Sequence, residues 1–283
     1  MTKILSGKDV TNQIDIRNRT NIMKLHEIGI TPRLAIIRIG EQGADVYYEK
    51  NIIKKCQKLG VAYEIFSLPP TIDENALLNV IAQVNANPNI HGVLLFRPLP
   101  KHLNEQKIIN MINPEKDVDG ITDYSIAGVF TGKDQGFSPC TPQSCIKLLD
   151  YYDISCAGKK IVVVGRSLVV GKPITMMLLH KNATVTVCHT KTQNMTSIIK
   201  NADIVIVAAG KTNLINSSCV KNRQIIIDVG ININEEGRIL GDVDYEDIKD
   251  IVDAITPVPG GVGTITTSVL IEHVVKAALK KHL

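Results

Sequence analysis

The feature that most constrains this chain is an alternation of short apolar-rich runs with longer segments of helical spacing. Arg33–Ile39 (RLAIIRI), Ala62–Leu68 (AYEIFSL) and Gly92–Phe96 (GVLLF) are short and rich in branched or aromatic residues, so they read as strands. Asp45–Leu59 and Asp73–Asn85, between them, carry apolar residues at helical intervals, and Lys8–Ile28 reads as a further helix stopped by Gly29. Strands separated by helices imply a parallel sheet covered on its faces. A second series opens near Thr141. Helix Pro142–Tyr152 leads into strand Lys160–Val164, a helix from about Val170 to His180, and strands Thr184–Cys188, Ile204–Ala208 and Gln224–Val229. Ile233–Leu240 reads as a turn on Gly237, and Ile265–Leu283 as a helix whose apolar face packs back on the first domain. The expected fold class is α/β. Two α/β domains flank a cleft, and the C-terminal one is a Rossmann-like, doubly wound parallel sheet. A length of 283 residues agrees with two domains of roughly 150 residues each.

Composition removes several alternatives. With 32 basic against 28 acidic residues, the net charge is +4 and scattered, so no clustered basic stripe argues for nucleic acid. No apolar run approaches the roughly 20 residues that span a bilayer, and the N-terminus lacks the apolar core of a secretory signal. The expectation is a cytoplasmic protein that binds neither membrane nor nucleic acid. Six cysteines (Cys56, Cys140, Cys145, Cys156, Cys188, Cys219) form no CxxC pair, which favours free thiols over a disulfide framework or a metal site.

Val162–Val164 runs directly into Gly165–Arg166–Ser167–Leu168–Val169–Val170–Gly171–Lys172–Pro173. A strand entering a glycine turn and then a helix directs backbone N–H groups where a pyrophosphate can bind. The spacing is Gly-x5-Gly rather than GxGxxG, so an ordinary structural βα turn stays open beside the dinucleotide loop. NAD-binding sheets usually end their second strand on a carboxylate that holds the ribose 2′-hydroxyl. Here Thr184–Cys188 ends in His189–Thr190–Lys191, with no carboxylate. Arg166, Thr190 and Lys191 would suit a 2′-phosphate, which favours NADP and leaves NAD as the alternative. For His189, a loop role without special chemistry stays open.

Three further segments narrow the identity. They are Asp117–Val118–Asp119–Gly120, Pro139–Cys140–Thr141–Pro142 and Thr256–Pro257–Val258–Pro259–Gly260–Gly261–Val262–Gly263. With the glycine turn and Asp228–Val229–Gly230–Ile231, they resemble the methylenetetrahydrofolate dehydrogenase/cyclohydrolase family over essentially the whole chain. The resemblance implies a homodimer with folate in the interdomain cleft. Such an enzyme oxidises 5,10-methylenetetrahydrofolate to the 5,10-methenyl form by hydride transfer to a nicotinamide. Most members then hydrolyse that product to 10-formyltetrahydrofolate, in one-carbon metabolism and purine biosynthesis. The implied division is a folate-binding domain over 1–122 plus 264–283 and a dinucleotide-binding domain over 123–263. Asp119 would then hydrogen-bond the pterin and Tyr48 stack near it. Pro257, Gly260 and Gly261 would border both ligands, and Gly165, Arg166, Ser167, Gly171, Thr190 and Ile231 would contact the dinucleotide. On its own chemistry, Asp119 can accept hydrogen bonds from an amino-pyrimidinone edge, or can be a turn carboxylate in DVDG.

Two positions depart from the family pattern. Its Tyr-x-x-x-Lys pair falls on Tyr48 and Ile52, and its glutamine before Pro-x-Pro falls on Phe96. Lys54 lies about 200° round the helix from Ile52, Lys55 about 10 Å along the Tyr48 face, and Lys50 off that face. All three read as solvated lysines. Arg97 neighbours Phe96, but successive strand residues face opposite ways. Hydride transfer depends on aligning two rings. Methenyl hydrolysis also needs water activation and proton transfer to nitrogen, to which acid–base groups contribute on the order of 10²–10⁴-fold. The residues therefore predict a dehydrogenase with weak or absent cyclohydrolase activity. The ordinary bifunctional enzyme and a non-catalytic folate- or dinucleotide-binding protein are the alternatives. Thr264 and Ile265, where the family commonly has Pro and Met, raise a further question about entry into the last helix.

Overall fold

The computed structural model describes residues 2–234 and 236–283. Elements follow in the order β1 (Lys3–Ile4), α1 (Gly7–Glu27), β2 (Arg33–Ile39), α2 (Gly43–Leu59), β3 (Ala62–Leu68), α3 (Glu74–Ala86) and β4 (Gly92–Leu95). Then come α4 (Glu105–Ile109), α5 (Asp123–Thr131), α6 (Cys140–Tyr151), β5 (Lys160–Val164), α7 (Gly171–His180) and β6 (Thr184–Cys188). The remainder is α8 (Met195–Lys200), β7 (Ile204–Val207), β8 (Ile225–Asp228), β9 (Asn232–Ile233), β10 (Ile239–Leu240), α9 (Tyr245–Ile248), β11 (Ala254–Ile255) and α10 (Val262–His282).

The chain divides into two compact units. One comprises residues 13–140 and 267–283, the other 1–12 and 141–266. In the first, β3, β2 and β4 form a three-stranded parallel sheet in that order. The central strand β2 is buried along nearly its whole length, which is why it reads as a continuous apolar run. Ala35, Ile37, Leu77, Ile81, Val93 and Leu95 share the core between this sheet and α3. Residues 267–283 pack with this unit, where Asn18 donates to the Ser268 carbonyl and Ser268 donates to Asp15.

The second unit holds a six-stranded sheet in the order β1-β11-β8-β7-β5-β6, parallel throughout. Its longer strands are the expected ones, except that β7 stops short of Ala208 and β8 runs only from Ile225 to Asp228. The two-residue strands β1 and β11 extend one edge and were not legible, because two residues carry no periodicity. The same holds for the short helices α4, α8 and α9. α5 is announced by Thr122, whose hydroxyl accepts from Ser125 N–H as an N-cap. The turn expected over Ile233–Leu240 is the connection between antiparallel β9 and β10, with Glu235 outside the described residues.

Two expectations need correction. The strand expected to run through Phe96 ends at Leu95, just ahead of a cis Arg97–Pro98 peptide. Also, α10 is long and apolar enough to cross a bilayer by length and composition, contrary to the reading that no run approaches that size. Its most apolar stretch is 67% buried within the protein, because a helix enclosed on several faces needs apolar residues on all of them.

Candidate active site

In the unit of residues 13–140 and 267–283, Tyr48 sits on α2, half-buried, with Ile52 one turn further along. Ile52 is completely buried. The Tyr48 and Phe96 rings meet edge to face at 6.0 Å between centroids, with 74° between planes. Both positions that depart from the family pattern are thus apolar groups packed into the protein.

None of the neighbouring lysines replaces the missing one. Lys50 and Lys54 are exposed, as expected. Lys55 differs from the expectation of a solvated residue: its ammonium lies 2.7 Å from Asp15 Oδ2, and its side chain is only 15% exposed. Asp15 also accepts from Ser268 Oγ at 2.8 Å, so Lys55 is tied away as part of a partly buried cluster. The sequence concealed this because Asp15 lies 40 residues away.

The DVDG turn separates its two carboxylates by task. Asp117 is buried and accepts from the Ile121 and Thr122 amides and from the Thr122 and Ser125 hydroxyls, at 2.6–3.0 Å. It is the residue that shapes the turn and supports the start of α5. Asp119 is half-buried, accepts a hydrogen bond from Cys140, and lies within the field of Arg97. Burial raises its pKa to about 6, against the lowering effect of the Arg97 charge. Arg97 therefore reaches Asp119 electrostatically, and strand alternation does not govern its direction, since β4 has already ended. A guanidinium stays protonated, so Arg97 can hold charge but cannot shuttle protons. Cys140 lies 3.4 Å from the Val118 carbonyl, which also receives His273 Nδ1 at 2.8 Å.

A buried ion pair that sequence reasoning missed ties β2 to the second turn of α2. Arg38 Nε contacts Glu49 Oε2 at 2.9 Å, with both side chains under 10% exposed. The same guanidinium donates to Ser67 Oγ at 3.0 Å and to the Gly40 carbonyl. The available signal was a charge inside the otherwise buried run RLAIIRI, because such a charge requires a partner.

In the unit of residues 1–12 and 141–266, β5 delivers the glycine turn at its carboxyl end. Gly165 has φ +122°, and a Cβ there would stand 2.1 Å from the Ala208 carbonyl, so a side chain is excluded. Gly171 opens α7, with Gly165 O 2.2 Å from where its Cβ would be. Ser167 Oγ accepts from the Val170 and Gly171 amides at 3.1 and 3.5 Å, organising the entry to α7. Arg166 is exposed, as are Thr190 and Lys191 beyond the end of β6. His189 holds its own turn: its amide donates to Thr192 Oγ1 and its Nδ1 accepts from Lys191 N–H.

In the same unit, Gly260 has φ +109° beside the cis Val258–Pro259 peptide. A Cβ on Gly261 would lie 2.5 Å from Pro257 O, and Gly260 O accepts from Gly7 N–H at 2.8 Å. The question about Thr264 is answered locally, since its amide and hydroxyl both bind Gly261 O, at 3.2 and 2.8 Å, as α10 begins. Ile231 is 64% exposed, and its Cδ1 lies 3.4 Å from where a Gly263 Cβ would stand. Glycine turn, Arg166, Thr190 and Ile231 all follow the carboxyl ends of parallel strands, where doubly wound sheets bind ligands.

Family models match both parts of the chain. Residues 5–119 match the tetrahydrofolate dehydrogenase/cyclohydrolase catalytic domain, and residues 139–282 match the NAD(P)-binding domain of the same family. A "Bifunctional protein FolD" of Clostridium botulinum is 48% identical over 278 residues, covering 98% of this chain and 99% of its own. The structure of the bifunctional FolD enzyme of Campylobacter jejuni superposes with a TM-score of 0.97 at 39% identity, covering 99% of each chain. That of the Trypanosoma brucei enzyme, complexed with NADP cofactor and an inhibitor, gives 0.94 at 27% identity, covering 99% of this chain and 98% of its own. With both family models matched, and a relative 48% identical over 98% of the chain, this chain belongs to the tetrahydrofolate dehydrogenase/cyclohydrolase family.

Proposed function

We propose that this protein oxidises 5,10-methylenetetrahydrofolate to the 5,10-methenyl form, using NADP, and hydrolyses that product weakly or not at all. The observation that carries the second half is the apolar pair. Ile52 is fully buried at the family's lysine position, and Phe96 packs against Tyr48 at its glutamine position. In the oxidation, a hydride leaves the methylene carbon with its electron pair, and a folate nitrogen lone pair stabilises the resulting cation. Nicotinamide supplies the hydride acceptor. The protein contributes alignment: Tyr48 beside the pterin, Asp119 accepting from its amino-pyrimidinone edge, and Pro257, Gly260 and Gly261 leaving room for planar rings. Gly165, Ser167, Gly171 and Ile231 would hold the dinucleotide. Exposed Arg166, Thr190 and Lys191, with no carboxylate ending β6, suit the 2′-phosphate of NADP.

Hydrolysis asks for more. Water must lose a proton as it attacks the methenyl carbon, and a proton must reach nitrogen as the ring opens. Ile52 and Phe96 can perform neither transfer, the Arg97 guanidinium offers donors and no acceptor, and Lys55 is engaged by Asp15. A second reading, the ordinary bifunctional enzyme, is favoured by the FolD name of the relatives. We further read the protein as a cytoplasmic homodimer, in keeping with its family and with six buried cysteines.

The test follows methylenetetrahydrofolate with NADP⁺, and separately NAD⁺, while recording reduced cofactor and methenyl product by absorbance. Methenyl product accumulating in step with reduced cofactor is the expected result. Methenyl product disappearing faster than in buffer would make the enzyme bifunctional and defeat the reading of Ile52 and Phe96.

A further inference from the structure

Asp242 is completely buried in the unit of residues 1–12 and 141–266, and its carboxylate is surrounded by donors. Oδ2 accepts from the Ala209 and Gly210 amides at 2.6 and 2.9 Å. Oδ1 accepts from the Lys211 amide and from Asn232 Nδ2, both at 2.9 Å. Three successive amides converging on one anion form a nest, and here the anion is the protein's own. The two segments joined in this way follow adjacent strands, residues 209–211 after β7 and Asn232, which opens β9, after β8.

Each segment adjoins, along the chain, a residue at the dinucleotide surface. Ala208 O, one residue before the nest, is the atom against which Gly165 packs without room for a Cβ. Asn232 directly follows Ile231. Asp242 is held in turn. Its amide donates to Asp228 Oδ1 at 3.1 Å, and Asp228 also accepts from Gly230 and Val243. Gly230 passes so close that a Cβ would lie 2.4 Å from Asp242 Oδ1.

We infer that Asp242 is a positioning residue for the dinucleotide: its carboxylate locks the loop under the glycine turn to the loop carrying Ile231. This rests on the dinucleotide reading above. The side chain lies wholly within the protein, so it acts through those loops and not by touching the cofactor. Asparagine is nearly isosteric but would turn an NH₂ toward amide donors, leaving up to two of the four hydrogen bonds unmade.

The experiment compares Asp242→Asn with the parent in four readouts: KM for NADP⁺, KM for methylenetetrahydrofolate, kcat, and melting temperature. A rise of about tenfold or more in the NADP⁺ KM is expected, with the folate KM within about twofold and kcat at saturating NADP⁺ within about threefold. A folded variant whose NADP⁺ KM is unchanged would overturn the inference, as would equal rises in both KM values. If Asp242→Asn does not fold, Asn232→Ala removes a single donor, and a rise of about threefold confined to the NADP⁺ KM is expected. No such rise would likewise overturn it. A parent that binds neither NADP⁺ nor NAD⁺ defeats the dinucleotide reading itself, which is a separate failure.

Discussion

Asp119 and Asp242 mark the two candidate half-sites, and they are supplied with donors very differently. Asp242 accepts four hydrogen bonds from its own chain and is fully buried. Asp119 is half-buried beside a thiol and a distant guanidinium, and burial lifts its pKa to about 6. A carboxylate saturated by backbone amides is committed to shaping loops. One left underprovided is suited to donors that arrive on a ligand. The contrast extends to the surroundings. The proposed dinucleotide surface carries glycines, hydroxyls and cations, whereas Tyr48 faces Phe96 and shares its helix face with Ile52.

The sharpest attempt to erase that contrast is Ile52→Lys combined with Phe96→Gln. Methenyl hydrolysis should rise by on the order of 10²–10⁴-fold, measured as loss of methenyl absorbance without cofactor. No rise in a folded double variant would mean that more than these two groups has been lost. A lower melting temperature is expected, since an ammonium would enter a position now filled by a completely buried side chain.

Asp119→Asn should raise the folate KM by about 10- to 100-fold, the worth of a charge-assisted hydrogen bond or two, and leave the NADP⁺ KM within about twofold. The parent's pH dependence follows from the same carboxylate. Asp119 accepts two donors only when ionised, so the folate KM should climb as pH falls below about 6. In the Asp119→Asn protein that bend should vanish, and its persistence would assign the bend to another group. For stability the sign is opposite. Asp119 and Asp228 both have pKa values raised from 3.8 to about 6, so the folded state holds more protons between those limits. Stability from these groups is present in full below about 4 and is lost as pH rises through about 6.

The smallest effect is expected from replacing both members of the buried Arg38–Glu49 pair. Replacing both residues with leucine should change stability by about 1 kcal/mol or less, because lost attraction is offset by lost desolvation cost. The single variant Glu49→Leu, which strands the guanidinium, should cost about 3–5 kcal/mol in denaturant unfolding. Equal losses in single and double variants would mean that packing, not pairing, fixes α2 beneath Tyr48.

What could be read before any fold was known was whatever is local in the chain. The continuous run Lys160–Val164 marked an interior strand and the alternating run Thr184–Cys188 an edge one, and the glycine turn, DVDG and PVPGGVG segments carried the family. The replacements at 52 and 96 were equally plain, since residue identity needs no coordinates. Two-residue strands and four-residue helices were not legible, because periodicity requires repeats.

Tertiary structure alone decided which charges were already spoken for. Asp117 and Asp119 look alike in DVDG, yet only one meets the Thr122 and Ser125 hydroxyls. Lys55 looks solvated until Asp15 arrives from another helix, and Asp242 is unremarkable until two loops from neighbouring strands converge on it. The physical reason is the same throughout. Side-chain periodicity is fixed by the nearest few residues, whereas a buried charge takes its role from partners that the sequence separates and the fold brings together.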